Sequence, residues 1–152
     1  MLYTNGRLVF PDRVADGFSL RVAAGKIAEI GELAPQRGEE LVDLGGNFLA
    51  PGFIDLHVHG ALGRDTMDGT TEAFRAICNY HASGGTTSVC LTTVTAPLEE
   101  VVRVVRAIEA ALPEIPQLRG AHVEGPFIAK EKHGAQRPEF IVEPPEDRVR
   151  QL

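Results

Sequence analysis

Hydrophobic and polar residues follow one pattern up to about residue 50 and a different one from Pro51 onward. In the first part, short apolar runs are separated by turn signals such as Asn5-Gly6 and Gly45-Gly46, which is typical of short β-strands. The sequence around Ala24-Gly25 predicts a hairpin. No residue cluster in this part suggests chemistry. We therefore interpret it as a small structural sheet.

From Pro51 the pattern changes to alternating strands and helices. Residues 71–83 predict a helix with an apolar stripe that includes Phe74, Ile77 and Tyr80, and Gly84-Gly85 ends it. The β-branched residues 86–94 predict a buried strand. A second helix is predicted from Pro97 to Pro113, followed by a third strand at residues 117–124. Strands and helices that alternate at this length predict a parallel sheet.

The first strand of this second part follows Pro51-Gly52, and polar and apolar residues alternate along it. Asp55, His57 and His59 occupy every second position and are predicted to share one face. The opposite face, which includes Ile54 and Leu56, is predicted to pack on helices. Two imidazoles two residues apart are close enough to bind one metal ion or a metal pair. The segment is therefore a candidate metal site.

A second polar pair supports this interpretation at the end of the third predicted strand. His122 and Glu124 also share a face by the period-two rule. In parallel sheets the chemistry lies at the carboxyl ends of the strands, where the two histidines of the first strand also lie. We therefore predict that His57, His59 and Glu124 bind metal together.

Composition and charge exclude several classes of protein. A net charge of −6 argues against a general nucleic-acid binder, which needs a basic face. Cys78 and Cys90 fit neither a disulfide framework nor a zinc motif and are predicted to be buried thiols in a reducing compartment. No signal peptide and no membrane-length apolar stretch is recognisable, so a cytoplasmic location without membrane partners is expected.

After the third strand the chain becomes polar. Residues 130–138 predict a solvated loop, and residues 144–152 resemble the beginning of a further helix. Three strand–helix units are too few to close a barrel. The third strand is therefore expected to keep an unpaired edge in the 152 residues alone, which favours self-association and inactivity.

Two motifs resemble those of the amidohydrolase superfamily and, within it, the N-acetylglucosamine-6-phosphate deacetylases. The first is Pro-Gly-Phe-Ile-Asp-Leu-His-Val-His-Gly at residues 51–60. The second is His-Val-Glu-Gly-Pro-Phe at residues 122–127, followed by His-Gly-Ala-Gln at residues 133–136. The resemblance covers essentially the whole chain and corresponds to the amino-terminal part of a family member. It implies that residues 1–50 belong to a small β-sandwich and residues 51–152 to the first three βα units of a (β/α)8 barrel.

The resemblance also implies a reaction and roles for individual residues. The reaction is hydrolysis of the acetamide of N-acetylglucosamine 6-phosphate, assisted by one or two divalent ions, with Zn²⁺ first and Fe²⁺, Mn²⁺, Co²⁺ or Ni²⁺ as alternatives. Glu124 would be the main metal ligand, His57 and His59 would hold a second ion, and Ala135 and Gln136 would contact the sugar. Two later histidine ligands and the aspartate that acts as general base have no counterpart in these 152 residues, so no catalytic residue is assigned here.

Two other functions stay open at this point. The first motif alone is also compatible with another amidase or cyclic amidase of the superfamily. The second of these other functions is that of a non-catalytic module that binds metal or a partner. In the favoured reading the partners are a small amino-sugar phosphate and further copies of the same chain.

Overall fold

The computed structural model describes residues 1–144. Its chain divides after Pro51 into two compact units. The helix start predicted at the end of the sequence falls on residues 145–152, outside the described part. No helix among residues 1–144 combines the length and the apolar character needed to cross a membrane.

The first unit contains seven short strands in two sheets. They are β1 (Leu2–Thr4), β2 (Arg7–Val9), β3 (Val14–Ala15), β4 (Ser19–Ala23), β5 (Lys26–Gly31), β6 (Leu41–Asp43) and β7 (Phe48–Leu49). One sheet has the order β5-β4-β1-β6 and the other the order β3-β2-β7. The pairs β1–β6 and β2–β7 are parallel, and the remaining pairs are antiparallel.

The predicted hairpin is confirmed as the connection between β4 and β5. Ala24 and Gly25 have φ angles of 50° and 71° at its turn. Two consecutive positive φ angles are the signature of the tight turn whose twist matches that of paired strands. Next to the turn Ala23 lies opposite Lys26 and Val22 opposite Ile27, and beyond them a bulge at Ala28 shifts the register.

A buried arginine forms the polar centre of this unit. The Arg21 guanidinium donates to the Glu39 carboxylate at 2.8 and 3.1 Å and to the Ala34 carbonyl at 2.9 Å, and it also contacts the Glu29 carboxylate. The hydrogen bonds from Arg21 to Glu39, and after them the one from the Gln36 N–H, lower the pKa of Glu39 from 4.5 to about 2. The cluster is structural, since it ties β4, β5 and the segment before β6 together.

The second unit is a parallel α/β layer, as the sequence predicts. Its elements are β8 (Phe53–Val58), β9 (Gly60–Ala61), β10 (Arg64–Asp65), α1 (Thr71–Ser83), β11 (Thr86–Thr92), α2 (Leu98–Ala111) and β12 (Leu118–His122). The sheet order is β12-β11-β8, and both pairings are parallel. Where the sequence predicts only a loop after β8, the structure adds the small hairpin β9–β10.

The two helices cover one face of this sheet. The Thr70 side chain caps the amino end of α1 by accepting the Ala73 N–H at 3.2 Å. Phe74 and Ile77 are fully buried, as predicted. Tyr80 is not part of the core, because it is half exposed and its ring packs edge-on against His81. The prediction for Tyr80 is therefore wrong.

The apolar face of β8 also differs from the prediction. Ile54 and Leu56 are 71% and 63% exposed, and only Val58 is buried. The physical reason is the register of β8 on β11: Ile54 lies opposite Ser88 and Val58 lies opposite Leu91, and these two residues of β11 point to opposite faces of the sheet. Val58 therefore joins the core beneath the helices, whereas Ile54 lies on the face that the helices do not cover.

The two cysteines have different environments. Cys78 is fully buried in α1, and burial raises the pKa of its thiol. Cys90 on β11 is only half-buried. The prediction of a buried thiol is therefore confirmed for Cys78 and wrong for Cys90.

Candidate metal centre

A β-bulge shapes the histidine segment. Asp55 pairs with Val89 and Val58 pairs with Leu91, so two residues of β8 lie opposite one residue of β11. The bulge releases backbone N–H groups from the regular ladder. The N–H of His57 is instead bound by the Asp55 carboxylate at 3.1 Å. Asp55 therefore serves the backbone of the motif and lies outside the group of converging side chains.

Three side chains converge beside this bulge, as the sequence predicts. The Nε2 atoms of His57 and His59 are 3.0 Å apart. The Oε2 atom of Glu124 lies 3.3 Å from Nε2 of His57 and 3.0 Å from Nε2 of His59. Within residues 1–144, His57, His59 and Glu124 form a possible metal-binding group, because their ligand atoms all lie within 4.8 Å of one another.

The protonation of His59 suits metal binding. Its Nδ1 lies 3.1 Å from the Thr92 carbonyl oxygen, which only accepts hydrogen bonds. A proton is therefore on Nδ1, and Nε2, the atom directed at Glu124, is the one available to a metal ion. Metal-bound histidines are commonly held in this way by a carbonyl on the opposite ring nitrogen.

The spacing of the three atoms also fits a metal ion. A tetrahedral Zn²⁺ with ligands at about 2.0–2.1 Å separates neighbouring ligand atoms by about 3.3–3.4 Å. The observed separations of 3.0–3.3 Å are close to this value. The Oε2 atom of Glu124 is buried, and no hydrogen bond to it is formed within residues 1–144. A buried carboxylate oxygen without a hydrogen-bond donor is costly, and a cation would remove that cost.

The backbone around Glu124 fixes its position. Glu124 follows β12 by two residues, and its N–H donates to the Thr93 hydroxyl at 3.3 Å. The next residue, Gly125, has a φ angle of +77°, and a Cβ atom there would overlap Oγ1 of Thr95. Only glycine meets both demands. The backbone of Glu124 is thus held by the buried Thr93 on one side and by the turn at Gly125 on the other.

Gln136 is brought to the same end of the sheet. Its Oε1 atom accepts the Thr95 N–H at 2.7 Å, and its carbonyl lies 2.8 Å from Nδ1 of His133. Gln136 is half-buried, whereas Ala135 beside it is exposed. The loop after β12 is therefore fastened to the segment after β11, next to the turn that follows Glu124.

Three further residues support this region, and the sequence pattern singles out only His122 among them. The hydroxyl groups of Thr92 and Thr93 hold the backbone of Val58 and of Glu124, at 3.0 and 3.3 Å. His122 packs its ring 4.9 Å from that of His57. The β-branched residues of this strand predict only that it is buried. The one sign of a supporting role in the sequence is the cluster of threonines at the carboxyl end of the strand.

Comparison with known proteins places the chain in a family. Residues 48–152 match the amidohydrolase family, and the chain belongs to it. The chain is 36% identical over 123 residues to an N-acetylglucosamine-6-phosphate deacetylase of Lysinibacillus sphaericus, covering 79% of this chain and 32% of that protein. It is 33% identical over 141 residues to an N-acetylgalactosamine-6-phosphate deacetylase of Escherichia coli O157:H7, covering 90% and 36%.

A solved structure agrees with these matches. The crystal structure of an N-acetylglucosamine-6-phosphate deacetylase from Thermotoga maritima superimposes with a TM-score of 0.83 at 32% identity, covering 100% of this chain and 39% of that one. The chain thus spans about a third of the length of the curated relatives that it matches.

Proposed function

We propose that the full-length protein hydrolyses the acetamide of N-acetylglucosamine 6-phosphate to glucosamine 6-phosphate and acetate. In this proposal residues 51–152 form the first three βα units of a (β/α)8 barrel and residues 1–50 belong to a small β-sandwich. The similarity to amino-sugar-phosphate deacetylases in sequence and in fold supports both parts.

The observation that carries the proposal is the convergence of His57, His59 and Glu124. These residues would hold one or two divalent ions, with Zn²⁺ favoured by two imidazoles and a carboxylate, and Fe²⁺, Mn²⁺, Co²⁺ or Ni²⁺ as alternatives. Such an ion lowers the pKa of bound water to about 7 and polarises an amide carbonyl. Glu124 contributes the negative charge of the group, and the Thr92 carbonyl keeps the lone pair of His59 directed at it.

The loop after β12 supplies the groups that would contact the sugar. Gln136 already uses Oε1 on the Thr95 N–H, so its Nε2 hydrogens are the donors that remain for a sugar hydroxyl. Ala135 is exposed beside it. Lys130, Lys132 and Arg137 carry exposed positive charges on the same loop, and we propose that they attract the phosphate despite the net charge of −6.

Substitution of Glu124 in the full-length protein tests the proposal. Glu124→Gln keeps the shape of the side chain but removes its charge, and we expect it to lower metal content and to reduce kcat/KM by at least about 100-fold, as loss of a metal ligand implies. Glu109→Gln makes the same change on an exposed residue of α2 and should leave both quantities unchanged. Full metal stoichiometry in Glu124→Gln would contradict the ligand assignment.

The choice of substrate separates the proposal from its alternatives. We expect a higher kcat/KM for N-acetylglucosamine 6-phosphate than for unphosphorylated N-acetylglucosamine or for cyclic amides. The C4 epimer, N-acetylgalactosamine 6-phosphate, is a second candidate because the relative that covers 90% of the chain acts on it. Equal efficiency with and without the phosphate would remove the phosphate claim. Turnover of cyclic amides alone would favour another amidase of the family, and metal binding without turnover of any of these would favour a binding module.

A further inference from the structure

Thr92 lies between the strand that leads to His57 and His59 and the strand that leads to Glu124. It is the last residue of the central strand β11, with β8 on one side and β12 on the other. Its side chain is fully buried. Its Oγ1 atom lies 3.0 Å from the backbone nitrogen of Val58 and 3.4 Å from Nδ1 of His122. One hydroxyl therefore contacts both neighbouring strands.

The contact with Val58 bears directly on the two histidines. Val58 is the residue between His57 and His59, and it closes the β-bulge of β8. At this point the Val58 N–H donates to a side-chain hydroxyl. The hydroxyl thus fixes the backbone from which both imidazoles project, and a small shift there would change the separation of their Nε2 atoms.

The contact with His122 follows from the donor and acceptor capacity of a hydroxyl group. Oγ1 of Thr92 accepts the Val58 N–H and has one proton of its own to donate. Within residues 1–144 its remaining neighbour is Nδ1 of His122. A buried hydroxyl proton needs an acceptor, so Nδ1 of His122 carries the lone pair and Nε2 carries the hydrogen.

We propose that Thr92 is a positioning residue that sets opposite tautomers in two histidines of the centre. Its carbonyl holds His59 with the proton on Nδ1, which presents Nε2 as a ligand, and its hydroxyl holds His122 with the proton on Nε2, which presents a hydrogen-bond donor. The same hydroxyl keeps the bulge between His57 and His59 in place. This inference rests on the proposed function, because it takes His57, His59 and Glu124 as metal ligands.

The variant Thr92→Val tests the inference, since it keeps the branched shape and removes the hydroxyl. In the full-length protein we expect the affinity for Co²⁺, measured by competition with a chelator, to fall about 10–100-fold, as for other residues that orient metal ligands. Thr92→Ser restores the hydroxyl and should stay within about threefold of wild type. Thr86→Val is the matched control: it makes the same change at the other end of β11, away from the candidate metal centre, and should leave the affinity unchanged.

A second measurement separates positioning from a general loss of structure. In the metal-free protein, ¹⁵N NMR of the imidazoles should show His122 protonated on Nε2 in wild type and in Thr92→Ser, and a mixture of tautomers in Thr92→Val. His59 should keep its Nδ1 proton in all three, because its partner is a backbone carbonyl. Should Thr92→Val not purify in a folded form, Thr92→Ala removes the same hydroxyl and is measured in its place.

The outcomes distinguish this inference from the proposed function. Wild-type affinity together with an unchanged His122 tautomer in the variant without the hydroxyl would overturn the inference alone. A wild-type protein that binds Co²⁺ but hydrolyses no amino-sugar phosphate would overturn the proposed function and leave the inference standing. A wild-type protein that binds no metal would overturn both.

Discussion

Replacing Gly125 by alanine should be one of the most destabilising single changes near the site. The φ angle of +77° costs a residue with a side chain about 1–2 kcal/mol. In addition, the new Cβ atom would overlap Oγ1 of Thr95, which is buried, and would lie 3.0 Å from the Cβ atom of the same residue. Overpacking of this kind costs about 1–3 kcal/mol. We therefore expect a loss of about 2–5 kcal/mol in the free energy of unfolding, the sum of the two terms.

The two contributions can be measured separately. Gly134 has a φ angle of +59°, and a Cβ atom added there would meet no other atom within 4 Å, so Gly134→Ala carries the backbone term alone. Thr95→Ala removes the closest atom, and in a double-mutant cycle with Gly125→Ala it should recover about 0.5–3 kcal/mol of coupling energy. Urea unfolding of the full-length variants provides the values, from midpoint shifts at a common m-value. A Gly125→Ala protein that is no less stable than Gly134→Ala would refute the steric argument.

Two further predictions concern residues outside the candidate metal centre. Phe74→Ala should lower the free energy of unfolding by about 3–5 kcal/mol, because the ring is fully buried between α1 and the sheet; a cost below about 1 kcal/mol in urea unfolding would contradict this packing. The folded-state pKa of Glu39 is about 2, below its ordinary value of 4.5, so its ion pair with Arg21 contributes stability that is complete above pH 4.5 and is lost as the pH falls towards 2. The melting temperature of wild type should therefore fall more steeply than that of Glu39→Gln between pH 4.5 and 2, and parallel curves would show that the pair contributes nothing.

The convergence of His57, His59 and Glu124 could be predicted from the sequence because it depends on two simple regularities. Period-two alternation places His57 and His59 on one side of a strand, and parallel pairing brings the carboxyl end of β12 to the same edge. Neither regularity needs knowledge of the packing. The helix at residues 71–83 was predictable for a similar reason, since its apolar spacing and its Gly-Gly stop are local signals.

The bulge and its threonine supports could not be predicted in this way. A β-bulge is a mismatch between two strands that are far apart in the sequence, so the residues of β8 alone give no sign of it. Thr92 and Thr93 have the same propensity as any β-branched residue in a buried strand, and their roles depend on which backbone groups lack a partner. The exposure of Ile54 and Leu56 was missed because alternation assumes an unbroken strand, whereas the bulge at Leu56-His57 puts Ile54 and Val58 on opposite faces of the sheet.

The order β12-β11-β8 has a consequence for how the chain folds. His57 and Glu124 are 67 positions apart (124 − 57), and two crossover helices lie between them. Parallel strands pair only after each crossover has folded back, and contacts of such long sequence separation form slowly. The three atoms proposed to bind the metal therefore meet only when both helices and both strand pairings are in place. In a stopped-flow refolding experiment, the absorption bands of bound Co²⁺ would accordingly develop with the slowest phase and report the completed tertiary structure, whereas the helical circular dichroism of α1 and α2 would develop earlier.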